Sequence, residues 1–88
     1  MGNLWMDVEG ELAALKAEMK RLAGDGRDEQ GRVSVTFGAL FHDERCANVF
    51  EALVGTLRAA KKRKIVDFEG QMLLQGVHDD VAVVLLEE

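Results

Sequence analysis

At 88 residues, 48% hydrophobic and 31% charged, the chain has length for one domain and too much apolar content for a disordered tail. No apolar run nears the ~20 residues of a membrane span, and the single cysteine, Cys46, excludes a disulfide scaffold and suits a reducing, intracellular setting. Net charge is −5, yet Arg58, Lys61, Lys62, Arg63 and Lys64 place five of the eleven basic residues within seven positions.

Residues 1–6 read as an N-terminal extension, and residues 7–88 as the domain. The extension is too short and uncharged for a signal peptide. Met6 stands where a myristoylation signal requires Ser or Thr, so no lipid anchor is expected. Val8, Leu12, Leu15, Met19 and Leu22 then recur at spacings of four, three, four and three, which predicts an amphipathic helix over residues 7–23. Acidic residues open it and basic residues close it, in agreement with the helix dipole. Gly24-Asp25-Gly26 ends it, because glycine accepts the left-handed conformation of a helix cap. Residues 27–31 are polar and read as an exposed, flexible loop.

Val33 and Val35 alternate with Ser34 and Thr36, a short half-buried strand. Thr36 is placed to cap a short helix that carries Phe37, Leu40 and Phe41 on one face. Asp43 is placed to cap a longer helix over residues 44–62, with Cys46, Val49, Phe50, Leu53, Val54, Leu57 and Ala60 as its apolar face. Gly55 inside that helix costs roughly 1 kcal/mol relative to alanine and points to close packing. Ile65, Val66 and Phe68, then Glu69-Gly70, then Met72, Leu73 and Leu74 predict a hairpin turning on glycine. Residues 76–80 form a second turn, and residues 81–86, apolar on both sides, predict a central or covered strand. Helix, strand, helix, helix and three short strands is a winged-helix-like order. The expected class is therefore α+β, three helices on a small antiparallel sheet of three to four strands.

Catalytic patterns are thin. His42, Asp43 and Cys46 lie close in sequence, but Cys46 falls on an apolar helix face, where free cysteine behaves as a small hydrophobe. His78-Asp79-Asp80 lacks the donors of a closed metal site and reads as a turn in which aspartates bond their own backbone. No glycine-rich loop opens a helix after a strand, so no phosphate cradle is expected. The basic cluster is the strongest signal. Two cations would suffice to satisfy a helix C-terminus, whereas five repel one another unless something acidic compensates.

A winged helix admits DNA in its third helix, and a nucleic-acid-binding winged helix is the alternative reading. Here that helix opens with Asp43 and Glu44, and the expected wing carries Asp67 and Glu69, which phosphates repel. The charges favour a protein partner.

The segments VTFGALF (35–41), RCANVFEALVGTLRAAKKRKIV (45–66) and LLQGVHDDV (73–81) together resemble the Costars family. The resemblance covers residues 8–86. It implies a winged-helix-like domain without enzymatic activity or cofactor, similar to the one that ends the actin-binding Rho-activating proteins, where that region binds actin. It implies a cytoplasmic, cytoskeleton-associated protein that modulates actin organisation by contact with actin or an actin-regulating protein, and a monomer is expected. The expected partner-binding residues are Arg58, Lys61, Lys62, Arg63 and Lys64, with His78, Asp79 and Asp80 as a second surface matching the family motif. No membrane or nucleic-acid contact is implied.

Overall fold

The computed structural model describes residues 8–50, 52–70 and 73–87. Helix α1 spans Val8–Ala23, strand β1 Ser34–Thr36, helix α2 Phe37–His42, helix α3 Glu44–Val49, helix α4 Leu53–Lys62, strand β2 Val66–Asp67 and strand β3 Ala82–Leu85. The three strands form one antiparallel sheet in the order β1-β3-β2, paired Val35 with Val83 and Val66 with Leu85. The α+β class is as expected, with four helices on three strands in place of three helices.

Helix α1 places Leu12, Leu15 and Met19 fully inside, against Phe37 and Leu40 of α2, Leu57 and Ala60 of α4, and Val33, Val35, Val66, Val83 and Leu85 from the sheet region. It ends where Gly24, at φ +56°, donates its N–H to the Lys20 carbonyl. The polar loop that follows is exposed but tightly organised. Asp28 accepts the N–H groups of Gln30 and Arg32 through Oδ1 and the Arg32 guanidinium through Oδ2. These bonds hold the Asp28 carboxyl below its ordinary range, the Arg32 backbone N–H contributing most. Charge on a loop is thus no measure of its order when one aspartate can satisfy three donors.

Both short-range caps form. Thr36 Oγ1 accepts the Ala39 N–H at 3.1 Å, and Asp43 Oδ2 accepts the Cys46 N–H at 2.9 Å. The single helix expected over residues 44–62 is two helices. Phe50 (φ −105°, ψ 126°) and Ala52 (φ −144°, ψ 84°) leave helical geometry, and Val49 is left 36% exposed. Neither proline nor glycine occupies residues 49–52, and Ala52 supplies no side-chain cap to α4. Arg45 meets Glu18 of α1 while Arg63 meets Glu9. Those partners are ~13 Å apart along α1, whereas 18 helical residues span ~27 Å. The bend at Phe50 shortens that path and buries the phenyl ring.

The expected hairpin is also redrawn. Glycine does turn the chain, with Gly70 at φ +89°. Strand β2, however, pairs with β3, and Leu73 and Leu74 are not strand residues; Met72 lies outside the described residues. Leu73 is buried in the core, and β3 takes the pairing that the nearer segment was expected to make. As expected, residues 81–86 hold the central strand. Its inner face carries Val83 and Leu85, while Ala82 on the other face is exposed.

Candidate protein-interaction site

Helix α4 closes in a two-bond cap. The Ile65 N–H bonds the Ala60 carbonyl at 2.8 Å, the Lys64 N–H bonds the Lys61 carbonyl at 3.0 Å, and Lys64 takes φ +63°. This is the geometry in which glycine normally follows a helix. Here the left-handed position carries a lysine, so a cation is projected just past the helix end.

The five expected cations divide into two sets. Lys61 is structural. Its ammonium donates to the Phe68 carbonyl at 2.6 Å and to the Gly70 carbonyl, and it lies 4.4 Å from the centre of the Phe68 ring. It therefore ties the end of α4 to the turn after β2. Arg63 pairs with Glu9 of α1. Arg58, Lys62 and Lys64 are exposed, and among the described residues no hydrogen bond or ion pair engages their side chains.

Beside these cations runs a groove of about 540 Å³ lined by Gly55, Arg58, Ala59, Lys61, Lys62 and Phe68. Glycine and alanine leave the helix surface low at its centre, and Arg58 and Lys62, four residues apart, stand along it. The groove was only partly visible in the sequence: Gly55 was the signal, but which elements flank it depends on Phe68 arriving from β2.

His78, Asp79 and Asp80 come together in the turn before β3. The Leu74 N–H donates to His78 Nδ1 at 2.8 Å, and the Gly76 N–H to Asp79 Oδ1 at 2.8 Å. The latter bond, with a weaker contact to His42 at 3.4 Å, holds the Asp79 carboxyl below its ordinary range. The Asp79 carbonyl also accepts the Gly38 N–H at 2.9 Å. His78 and Asp79 thus shape the loop, on which Val77 and Asp80 are exposed.

A third cluster escaped the sequence reading. Glu18 lies three residues past Leu15, on the buried side of α1, and is only 5% exposed. Its carboxylate takes Arg21 at 2.7 Å and Arg45 at 2.8 Å, and Arg21 also reaches Asp43. The Arg21 bond, with Arg45 beside it, holds Glu18 below its ordinary range against the opposing effect of burial. Donor atoms of Glu18, Asp43 and Cys46 lie within 4.8 Å of one another. The carboxylates are already engaged by two guanidinium groups and a helix cap, and burial, with Asp43 nearby, pushes the Cys46 thiol up to about 11. The cluster is an ion network joining α1 to α3, and His42 faces Asp79 instead of the thiol.

The Costars family model matches residues 7–86. A Costars family protein ABRACL of Xenopus tropicalis is 58% identical over 83 residues, covering 94% of this chain and all of that one. A Costars family protein of Arabidopsis thaliana is 61% identical over 80 residues, covering 91% and 82%. The solution structure of human HSPC280 protein superposes with a TM-score of 0.84 at 53% identity, covering 94% of this chain and 95% of the other. This chain, which carries the α+β core, the cation-ended fourth helix and the self-bonded His-Asp turn, belongs to the Costars family.

Proposed function

We propose that this protein is a non-enzymatic interaction module that modulates actin organisation in the cytoplasm by binding actin or an actin-regulating protein. One observation carries the site assignment. Along the second half of α4 and just past its end, Arg58, Lys62 and Lys64 stand exposed with no side-chain hydrogen bond or ion pair among the described residues, in a chain whose other eight cations are outnumbered by sixteen carboxylates. Such a spot steers and orients an acidic surface, and membership of the Costars family supports actin as the relevant partner system. Lys61 and Arg63 support the surface by fixing the end of α4, and the loop shaped by His78 and Asp79 offers Asp80 as a second contact.

The test is co-sedimentation with actin filaments, alone and with a filament-regulating protein. Arg58→Glu/Lys62→Glu/Lys64→Glu is expected to abolish the interaction with helicity unchanged by circular dichroism. Unchanged binding by that variant refutes the assignment. The nucleic-acid reading draws no support from α3: Asp43 and Glu44 open it, and Arg45 is engaged by Glu18. Random duplex DNA at low salt is therefore expected not to shift in a gel titration.

A further inference from the structure

We infer that the groove beside α4 takes an extended acidic peptide segment of the partner, with one apolar side chain seated over Gly55 and Ala59 and carboxylates on Arg58 and Lys62. The inference rests on the reading of α4 as the docking face and specifies what it holds. Three observations favour this occupant. The first is spacing. Residues four apart on a helix rise ~6 Å, close to the ~6.6–6.8 Å between alternate residues of an extended chain. Carboxylates two residues apart on one strand thus meet Arg58 and Lys62 together, and the residue between them projects from the other side of the strand, over the neighbouring row of Gly55 and Ala59.

The second is the state of the cations. Lys61 is consumed by the Phe68 and Gly70 carbonyls and by the Phe68 ring. That leaves two free charges spread along the groove instead of three converging on one point, which suits a linear polyanion better than a single phosphate. The third is shape and overall charge. The groove's floor is Gly55 and Ala59, so a backbone can approach the helix closely and a side chain can be covered. A net charge of −5 opposes an anionic bilayer but not a short acidic segment inserted at a local cationic rim.

The experiment is an amide chemical-shift titration of the full chain with the peptide Glu-Asp-Leu-Asp-Leu-Glu, run beside inorganic phosphate and phosphatidylserine vesicles. The expected result is saturable shifts at Gly55, Arg58, Ala59, Lys62 and Phe68 with the peptide alone. Ala59→Leu, which fills the groove while keeping every charge and a good helix former, should weaken the peptide at least tenfold. Arg58→Gln/Lys62→Gln should do the same. Absence of shifts at millimolar peptide, equal shifts with phosphate or vesicles, or unchanged affinity in Ala59→Leu each overturns the inference. Filament co-sedimentation separates the two claims. If charge reversal abolishes it and Ala59→Leu leaves it intact, the groove is not the seat and the broader reading survives; if neither affects it, both fail.

Discussion

Lys64 sits at φ +63°, where an L side chain crowds the neighbouring carbonyl at a cost on the order of 1 kcal/mol. Lys64→Gly relieves that crowding, offset in part by the entropy glycine loses on folding. The expected outcome is a thermal midpoint higher by a few degrees together with weaker filament binding, read by melting and co-sedimentation on one sample. A variant that gains stability without losing binding would remove Lys64 from the contact. Gly38 is the opposite case. A Cβ there would lie 3.0 Å from the Asp79 Cβ and 3.1 Å from its carbonyl oxygen. Gly38→Ala should therefore destabilise by about 1–3 kcal/mol in urea unfolding. It should also disturb the loop that His78 and Asp79 organise, seen as shifts at Gly76 and Val77. Cys46, buried and with its thiol pushed up to about 11, should react with a disulfide reagent at neutral pH only as fast as the protein opens, and at once in denaturant.

Among elements, α1 is the spine. Its buried residues touch the sheet, α2 and α4, and it holds α3 through the buried Glu18 and the end of α4 through the exposed Glu9. Leu15→Ala should cost about 2–5 kcal/mol, since the side chain is fully enclosed and its neighbours belong to several elements that cannot collapse together. Thr36→Ala should cost about 1 kcal/mol by leaving the Ala39 N–H at the start of α2 without its acceptor. The ratio of the two, measured in urea, tests whether burial or capping dominates the stability of the helical layer. The bend at Phe50 also positions the cations of the proposed site. It lets α4 lie along α1 and carry Arg58, Lys62 and Lys64 to the edge where β2 begins, beside Phe68.

For the molecule as a whole, acid should be destabilising. Glu18, Asp28, Asp43 and Asp79 are all held below their ordinary values, 4.5 for glutamate and 3.8 for aspartate, by the N–H groups and guanidinium groups around them. Because the folded state binds the proton more weakly than the unfolded chain, their contribution is complete above those ordinary values. It is lost as pH falls below them through the lower folded values. Urea midpoints measured from neutral pH down to about pH 3 should stay level and then decline, and Glu18→Gln should reduce the decline. Periodicity and caps were legible in the chain itself: the stripe of α1, Thr36 and Asp43 as caps, glycine at the turns, the central last strand and the run of cations. Each depends on residues within a few positions of one another, where backbone sterics and local hydrogen bonds decide. What the residues near Phe50 do, which strand β2 chooses, and which of five cations stay free are set by partners 7 to 54 residues distant in the chain, such as Phe68 for Lys61, Leu85 for Val66, Arg45 for Glu18 and Glu9 for Arg63. Local propensity is silent there, because a charge has no fixed role until packing determines what lies beside it.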